Sequence, residues 1–405
     1  MTENTKKRLA VLGAGPIGIE AALRGVRDGY TVDVYERGQI GAHIASWSHV
    51  TFFTPWSLNR SAWGEAVIAD GQGTLQDAAH SPTGREYLEQ YLVPLTSSKA
   101  LAGRIHERCE VLAISRKYAS KGDFVGRAER GIGPFVMLLR EDGQERFVEA
   151  DVIIDATGIF GQPNNLGVGG LPALGERELG DTIERHIPDV LGAARAHYSG
   201  KRVLVVGEGH SAATTLQNLH MLKAEEPTTH IVWLFRPQEA PYAQIADDSL
   251  PLRRALTHFA NEASCGKIEG ITAVGRATIM ELQALDEATI NVVIDRDGRP
   301  QRFEVDRIVA NVGYRPDQAI SRELQVHYCY ASEGPMALAA ALLASGGGGG
   351  ADCLAQASNG PETLLNPEPN FFVLGSKSYG RGSNFILKVG FEQIDAVFST
   401  LLKST

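Results

Sequence analysis

The stretch Leu9–Arg37, "LAVLGAGPIGIEAALRGVRDGYTVDVYER", decides the expected fold of the N-terminal part of the chain. It begins with an apolar run that ends in a glycine-rich turn, continues as a helix-like segment from Ile17 to Asp28, and closes with the alternating pattern "YTVDVYE". Such alternation predicts a strand. The order strand, glycine-rich turn, helix and strand predicts a Rossmann-like dinucleotide-binding unit.

The glycines of that turn, Gly13-x-Gly15-x-x-Gly18, have separate physical roles. Gly13 permits the tight turn, Gly15 lets the backbone approach a pyrophosphate, and Gly18 allows the helix to pack closely on the strand. The helix N-terminus offers N–H donors and a positive dipole end to phosphates. Glu36 ends the second strand, where a carboxylate accepts hydrogen bonds from ribose hydroxyls. These features together predict a dinucleotide site, and the alternative is a glycine-rich turn that serves packing alone.

A second unit of the same kind begins with Arg202–Thr214, "RVLVVGEGHSAAT". Its turn reads Gly207-x-Gly209-x-x-Ala212, with the alanine that this fingerprint permits in third place. We therefore expect a second nucleotide site. His210 and Ser211 begin the following helix and are candidates to contact phosphate, although Ser211 could instead cap the helix.

The second strand of this unit ends in "WLFRP", so Arg236 lies in the region where Glu36 lies in the first unit. A carboxylate would repel a 2′-phosphate, whereas a guanidinium can bind one through two hydrogen bonds. This difference favours NADPH over NADH at the second site. The alternative is an ordinary solvated arginine after a strand.

The order of elements repeats along the chain. "PFVMLLREDGQERFVEA" predicts a β-hairpin that turns at Asp142–Gly143, and "ATINVVIDRDGRPQRFEV" predicts another that turns at Asp297–Gly298. "DVIIDATG" and "DRIVANVG" then follow the two hairpins in the same position. We expect an α/β protein with two Rossmann-like three-layer domains. The glycine run Gly346–Gly350 is interpreted as a linker, with a functional hinge as the alternative.

Composition excludes several classes of function. The chain has 405 residues and a net charge of −9, which argues against a general nucleic-acid binder. No apolar run approaches the length of a membrane span, and no cleavage site follows the N-terminal apolar segment, so we expect a cytoplasmic protein. No metal-ligand cluster or catalytic triad has diagnostic spacing. The cysteines form no Cys-x-x-Cys pair, which disfavours a zinc site or a redox disulfide; they are Cys109, Cys265, Cys329 and Cys353.

The motifs "GAGPIG", "DATG", "VVGEGHSA", "NVGYRPD" and "FFVLGSKS" resemble, in this order, the two-dinucleotide-binding-domain flavoproteins. That superfamily includes thioredoxin-reductase-like enzymes and class B flavin monooxygenases, and the resemblance covers essentially the whole chain. It implies an FAD-binding domain made of residues 1–165 and 311–405. It also implies an NAD(P)H-binding domain, residues 166–310, inserted between these parts.

The resemblance assigns the cofactor contacts. The Ala156-Thr157-Gly158 turn resembles the segment beside FAD where the chain crosses between domains, and the strand around Val111 resembles the one that reaches the adenine. The residues expected to bind FAD are Gly13, Gly15, Pro16, Ile17, Gly18, Glu36, Arg37, Trp47, Val111, Ala156, Thr157 and Gly158. The residues expected to bind NADPH are Gly207, Gly209, His210, Ser211, Ala212 and Arg236.

Three departures from the superfamily pattern bear on the subfamily. The missing cysteine pair disfavours the disulfide reductases. The usual Gly-Asp turn near the C-terminus, whose acid contacts the ribityl chain, is replaced by Gly375-Ser376-Lys377. Of the Phe-x-Gly-x-x-x-His-x-x-x-aromatic fingerprint of flavin monooxygenases, His186 matches and the rest does not; a cofactor contact and a structural histidine are the two interpretations.

The segment "SWSHVTFFTPWSLN" falls where such monooxygenases place residues around the isoalloxazine ring. Trp47, Thr54, Trp56 and Asn59 are therefore candidates to surround the flavin and exclude water, with aromatic core packing as the alternative. Near the C-terminus, an anionic substrate or a phosphate could be bound by Lys377, Tyr379 and Arg381. Otherwise these would be solvated turn residues.

We expect an FAD-dependent, NADPH-using monooxygenase that forms a C4a-(hydro)peroxyflavin and oxygenates a small molecule at nitrogen, sulfur or a carbonyl group. One alternative is an NAD(P)H-dependent reductase of a quinone, a ferredoxin or a small organic acceptor. The other is a non-catalytic, NAD(P)H-sensing flavoprotein. The expected partners are a small-molecule substrate and O2, with a homodimer left open, and neither nucleic acid nor a membrane.

Overall fold

The computed structural model describes residues 6–71, 73–237, 241–345, 354 and 359–403. The chain divides into two compact units: Met1–Gln162 with Arg315–Thr405, and Pro163–Tyr314. These bounds differ by a few residues from the expected domain bounds 1–165, 166–310 and 311–405. The glycine run Gly346–Gly350, interpreted as a linker or hinge, lies outside the described residues, as does Cys353.

The strands and helices are named in chain order. The described strands are β1 Arg8–Leu12, β2 Thr31–Tyr35, β3 Ile105–His106, β4 Cys109–Arg116, β5 Phe135–Glu141, β6 Gln144–Ala150, β7 Val152–Asp155, β8 Ile183–Glu184, β9 Arg202–Val206, β10 His230–Leu234, β11 Ile271–Val274, β12 Ala277–Ala284, β13 Ile290–Arg296, β14 Arg299–Val305, β15 Arg307–Ala310 and β16 Phe371–Val373. The described α-helices are α1 Pro16–Arg27, α2 Ala42–Ala45, α3 Trp56–Asn59, α4 Ala62–Asp70, α5 Gly84–Tyr87, α6 Val93–Thr96, α7 Glu176–Leu179, α8 Arg195–Tyr198, α9 His210–Glu225, α10 Pro251–Ser264, α11 Met336–Ala344 and α12 Leu387–Lys403.

The first unit is built on a parallel sheet in the order β16-β7-β1-β2-β3. Successive side chains of a strand point to opposite faces, and both faces of this sheet are covered. Leu9 and Val11 of β1 pack in a core with α1 and α12. Ala10 and Leu12 pack in a second core with β4 and β5 of the antiparallel sheet β4-β5-β6. The unit is therefore a three-layer α/β domain.

The second unit repeats this plan with a parallel sheet in the order β11-β10-β9-β15-β8. Leu204 and Val206 of β9 pack in a core with the antiparallel sheet β12-β13-β14. Helix α9 contacts β9 and β10, and α10 packs on α9. The expected fold class, two Rossmann-like three-layer domains with one inserted in the other, is confirmed.

The hairpin predictions are also confirmed. Asp142–Gly143 joins β5 to β6 and Asp297–Gly298 joins β13 to β14, and all four residues have positive φ, as a two-residue type I′ turn requires. The two three-stranded sheets share a further detail, because β4 and β12 each carry a register shift near their middle. This match extends the internal repeat from sequence to structure.

The segment between β2 and β3 contains the capped helix α5. Thr83 is its N-cap and forms a reciprocal capping box with Glu86. The helix continues through a π-helical stretch, Leu88–Leu92, into α6. Its buried tyrosines, Tyr87 and Tyr91, belong to the same core as α1.

Candidate functional site

The glycine turn between β1 and α1 has one part that packs and one part that faces open space. Gly13 has φ +94°, and a Cβ on it would lie 2.7 Å from the carbonyl oxygen of Ala156. A Cβ on Gly18 would overlap the carbonyl oxygen of Gly13. By contrast, Gly15 is the N-cap of α1, and no atom lies within 4 Å of where its Cβ would be. The turn thus leaves room above Gly15, where a phosphate would meet the helix N-terminus.

Glu36 joins the end of β2 to this turn. Its Oε2 accepts a hydrogen bond from the backbone N–H of Ala14 at 2.8 Å, and its Oε1 accepts one from that of Gly38 at 2.7 Å. A carboxylate has about four acceptor positions, so two stay available for ribose hydroxyls. The carboxylate therefore links the end of β2 to the glycine turn after β1. Arg37 is exposed beside Gly161.

The start of β4 lies next to this carboxylate along the backbone. The N–H of Cys109 donates to the carbonyl oxygen of Glu36 at 2.9 Å, and Val111 follows two residues later, half-buried at the register shift of β4. Pro16 and Ile17 form the first turn of α1, where Ile17 is buried. The start of β4 thus lies beside Glu36, which is expected to bind the ribose, and Pro16 and Ile17 follow Gly15, which is expected to approach the pyrophosphate.

The end of β7 carries a buried polar cluster that sequence analysis did not identify. Asp155 Oδ1 accepts hydrogen bonds from the backbone N–H and the hydroxyl of Thr157, at 3.1 and 2.7 Å. Lys377 Nζ donates to Asp155 Oδ2 at 2.6 Å and to Thr157 Oγ1 at 2.9 Å. Lys377 is only 1% exposed, so the expectation of a solvated turn lysine is wrong for this residue. The cluster fixes the Ala156-Thr157-Gly158 turn, and Asp155 was visible only as an acid that ends an apolar strand.

The turn after β16 is held by a second set of hydrogen bonds. Gln393 of α12 accepts from the N–H of Gly375 at 2.9 Å and donates to Ser378 Oγ at 2.9 Å. Tyr379 is buried against Phe385, and burial raises the pKa of Tyr379 to about 12. Arg381 is exposed and donates to Glu333 at 2.9 Å. Lys377, Tyr379 and Arg381 therefore have different environments, although they are close in sequence.

The aromatic segment expected around the flavin lies partly in the core. Trp56 is 1% exposed and stacks on Tyr87 at a ring-centroid distance of 5.7 Å. Thr54 and Asn59 are buried and bond to one another: Thr54 Oγ1 donates to Asn59 Oδ1 at 2.8 Å, and Asn59 Nδ2 donates to the Thr54 carbonyl oxygen at 2.7 Å. Trp47 is half-buried and packs edge-on against Phe52.

Several buried polar atoms of this segment, and of the helical residues Tyr87 and Gln90, lack a partner among the described residues. Buried donors and acceptors are normally hydrogen-bonded, so a cluster of exceptions fits a polar ligand or ordered water. The atoms concerned are Trp47 Nε1, His49 Nε2, Trp56 Nε1, Tyr87 Oη and Gln90 Oε1.

The glycine turn of the second unit follows the same design as the first. Gly207 has φ +139°, and a Cβ on it would overlap the carbonyl oxygen of Asn311. Gly209 is the N-cap of α9 and has open space where its Cβ would be. Ala212 is buried beneath the turn. Ser211 is exposed at the second position of α9, so the alternative that it caps this helix is wrong.

His210 and His186 are both engaged within the second unit. His210 Nε2 lies 3.2 Å from Thr257 Oγ1, and burial lowers the pKa of His210. His186 donates its backbone N–H to Glu184 at 2.7 Å, and its carbonyl oxygen accepts from Asn311 Nδ2 at 2.9 Å. The hydrogen bond from the His186 ring also lowers the pKa of Glu184. These contacts hold the backbone of His186 within the second unit.

Arg236 lies at the expected place after β10 but already has a partner. Its guanidinium forms an ion pair with Glu208, and its backbone N–H donates to Glu208 Oε2 at 3.3 Å. The Arg236 side chain is 81% exposed, and that of Glu208 is 27% exposed. Glu208 was readable as an acid inside the glycine turn, but nothing in the local sequence indicates where its side chain points.

Two broader properties concern the whole described part of the chain. Over residues 6–71, 73–237, 241–345, 354 and 359–403, no helix has the length and apolar character needed to cross a membrane. Over the same residues, His, Cys, Asp and Glu side chains do not group in the way that a metal ion needs.

Comparison with known proteins agrees with this architecture. Residues 10–128 match the family described as pyridine nucleotide-disulphide oxidoreductase. No curated protein sequence matches the chain. Over 99% of its length, it is similar in structure to the bacillithiol disulfide reductase Bdr (YpdA) from Bacillus cereus, with 17% identity, full coverage of that chain and a TM-score of 0.69.

Two further similar structures are monooxygenases. One is DfoA bound to FAD, the cadaverine monooxygenase from Erwinia amylovora, with 11% identity, coverage of 99% of this chain and 95% of that chain, and a TM-score of 0.67. The other is the ornithine N-hydroxylase KtzI from Kutzneria sp. 744 with FAD, NADP+ and L-ornithine, with 15% identity, coverage of 98% and 99%, and a TM-score of 0.64.

The chain therefore has the fold of the two-dinucleotide-binding-domain flavoproteins, and the resemblance expected from the sequence is confirmed. These likenesses, at 11–17% identity, show the fold.

Proposed function

We propose that the protein is an FAD- and NADPH-dependent oxidoreductase, and specifically a monooxygenase of a small molecule. The observation that carries this proposal is the pair of unlike nucleotide sites. Both units have an N-cap glycine with open space above it, yet a carboxylate follows the first unit's strand and a guanidinium follows the second's.

The residues of the first unit fit FAD. Gly15 and the N-terminus of α1 offer N–H donors to the pyrophosphate, and the fixed carboxylate of Glu36 offers acceptors to the adenosine ribose. The same carboxylate would repel a 2′-phosphate, which disfavours NADPH in this unit. When bound, FAD would supply the hydride acceptor and the centre that reacts with O2.

The second unit would hold the electron donor. Gly209 and the N-terminus of α9 repeat the phosphate site, and Arg236 supplies a positive charge for the 2′-phosphate. NADPH, a proton, O2 and the substrate would yield NADP+, water and the oxygenated substrate. The similarity to KtzI, whose structure contains both FAD and NADP+, supports the same pair of cofactors here.

The described cysteines favour O2 over a disulfide as the acceptor. Cys109 and Cys329 are buried in the first unit, whereas the exposed Cys265 belongs to the second. A dithiol that exchanges with a substrate must be accessible, usually with its two thiols close together. Within the described ranges these cysteines are free thiols that do not meet those requirements.

The test is a screen of amines, thioethers and ketones that follows NADPH oxidation together with H2O2 release. A substrate should accelerate NADPH oxidation while H2O2 falls to a small fraction of the NADPH used, and the product should gain one oxygen atom. If no compound suppresses H2O2, monooxygenation is not the function. If the purified protein has no flavin spectrum and does not take up FAD, the proposal fails as a whole.

A second candidate, an NAD(P)H-dependent reductase, is favoured by the family match and by the similarity to a disulfide reductase. Rapid mixing of the NADPH-reduced enzyme with either O2 or a quinone separates the two candidates. A monooxygenase should show a transient absorbance band in the reaction with O2 before the oxidised spectrum returns. A reductase should reoxidise without that band and much faster with the quinone.

A further inference from the structure

Glu208 marks the sharpest difference between the two glycine turns. It is the middle residue of Gly207-Glu208-Gly209, and the residue at the same place in the first turn is Ala14. In the first unit, the N–H of Ala14 donates to the carboxylate after β2. In the second unit the direction is reversed, because the carboxylate belongs to the turn and the donors belong to Arg236 after β10. Each site thus has one carboxylate between turn and strand end, supplied from opposite sides.

The two partners in the second unit differ in how firmly they are held. Glu208 follows Gly207, which the backbone of Asn311 confines; its side chain is only 27% exposed and also accepts from the Arg236 backbone N–H. The Arg236 guanidinium is 81% exposed, so its side chain can reorient at small cost. A 2′-phosphate that reaches Arg236 must therefore share the guanidinium with a fixed carboxylate, and two like charges near one cation repel each other.

We infer that Glu208 is the residue that sets the discrimination between NADPH and NADH. Glu208 competes with the 2′-phosphate for Arg236 and, like Glu36, offers acceptors to an unphosphorylated ribose. The Glu208 carboxylate thus weakens the binding of NADPH and strengthens the binding of NADH, whereas Arg236 favours the binding of NADPH over that of NADH. This inference rests on the proposed function, because it requires a nicotinamide nucleotide in the second unit.

The test measures dissociation constants by titration calorimetry on the FAD-loaded protein, whose flavin is photoreduced beforehand under anaerobic conditions so that NADPH and NADH bind without hydride transfer. The ligands are NADPH, NADH, and the fragments adenosine 2′,5′-bisphosphate and AMP, which isolate the ribose end of the site. The variants are Glu208→Gln, Arg236→Ala and the double variant. The matched control is Glu225→Gln, which breaks an exposed ion pair with Arg195 at the far end of α9.

Glu208→Gln should tighten NADPH and adenosine 2′,5′-bisphosphate by roughly 3- to 10-fold and weaken NADH and AMP by a few-fold, as expected for an ion pair near the surface. Arg236→Ala should weaken the binding of NADPH far more than that of NADH. In the double variant, Glu208→Gln should no longer change the affinity for NADPH. Glu225→Gln should change the affinity for neither nucleotide.

If Glu208→Gln leaves the NADPH to NADH affinity ratio unchanged while both nucleotides still bind, the inference is wrong and the proposed function stands. A lower ratio of NADPH to NADH affinity in Glu208→Gln would also show that the inference is wrong. If neither nucleotide binds the FAD-loaded wild-type protein, the proposed function fails and the inference fails with it.

Discussion

The buried ion pair between Asp155 and Lys377 joins two side chains that are 222 positions apart. It ties the end of β7 to the turn after β16, and so connects the N-terminal and C-terminal segments of the first unit. Breaking a buried pair by removing one partner is costly, because the other charge stays in an environment that cannot solvate it. The pair therefore holds the turn Ala156-Thr157-Gly158, which is expected to lie beside FAD, in place.

Lys377→Met should lower the free energy of unfolding by about 3 to 5 kcal/mol, since Asp155 would remain buried without its cation. Adding Asp155→Asn should recover at least half of this loss, because no charge is then left buried. Chemical denaturation of the flavin-free protein measures both. Lys388→Met, which removes an exposed lysine paired with Glu392, is the control and should cost at most about 0.5 kcal/mol. Equal losses for Lys377→Met and Lys388→Met would contradict this account.

Glu20 is a buried carboxyl group on α1, 3% exposed, that accepts hydrogen bonds from Ser61 Oγ at 2.8 Å and from the Tyr91 hydroxyl. Burial raises the pKa of Glu20, although these hydrogen bonds oppose the shift. The folded state then holds a proton that the unfolded state, with a pKa of about 4.3, has lost. The contribution of Glu20 to stability is therefore full below that value and is lost as pH rises through the raised pKa.

Glu20→Gln should remove this pH dependence. Relative to wild type, the midpoint of thermal unfolding of Glu20→Gln should rise steadily as the pH is increased from 4 to 8, because only the wild-type protein must ionise a buried group. Glu89→Gln, at an exposed position of the same unit, is the control, and the difference between its unfolding midpoint and that of wild type should not change with pH. A constant difference between Glu20→Gln and wild type across this range would show that folding does not raise the pKa of Glu20.

At the scale of elements, the glycine turns combine a packing requirement with a binding surface. Gly18 and Gly207 are confined because a Cβ would overlap a backbone carbonyl oxygen, that of Gly13 or of Asn311. Gly15 and Gly209 meet no such obstacle. The same motif therefore contains glycines that the packing requires and glycines that have room for a side chain.

Gly18→Ala should destabilise the flavin-free protein by at least about 2 kcal/mol, since backbone atoms cannot move aside as a flexible side chain can. Gly15→Ala is the control. Its free energy of unfolding without FAD should stay within about 0.5 kcal/mol of wild type, because the extended backbone at Gly15 suits alanine. Chemical denaturation without cofactor separates the two. If Gly15→Ala were as unstable as Gly18→Ala, the open space above Gly15 would not exist.

Local patterns allowed the elements around the site to be predicted. The strand–turn–helix–strand order of Leu9–Arg37 and the hairpins at Asp142–Gly143 and Asp297–Gly298 depend on periodicity and on turn residues close in sequence. The pairing of Asp155 with Lys377 depends on which strands become neighbours in the sheet, and no local pattern encodes that. The burial of Trp56 has the same cause, because an aromatic segment does not reveal which of its rings faces the core.

At the scale of the whole molecule, the two units are built from one plan. Arg8 donates its backbone N–H to Asp151 at 2.7 Å and its Nη2 at 2.9 Å, and Arg202 makes the same two contacts to Asp306, both at 2.7 Å. These contacts hold β1 and β9, the strands that precede the two glycine turns, to the segments that follow the antiparallel sheets. The plan is repeated in its structural parts, whereas the residues that would meet a ligand differ.

Each predicted site is built from residues of its own unit, so the two should be separable by substitution. A ligand that binds only the folded state stabilises it by about 2.7 kcal/mol at 100 times its dissociation constant, which raises the unfolding midpoint. Gly15→Ala should lose most of the midpoint increase caused by FAD and keep the increase caused by NADPH. Gly209→Ala should do the reverse, because its added methyl group occupies the space above α9 instead of α1. Thermal unfolding at fixed ligand concentrations gives both differences. If Gly209→Ala abolishes the effect of FAD and spares that of NADPH, the two cofactors are assigned to the wrong units.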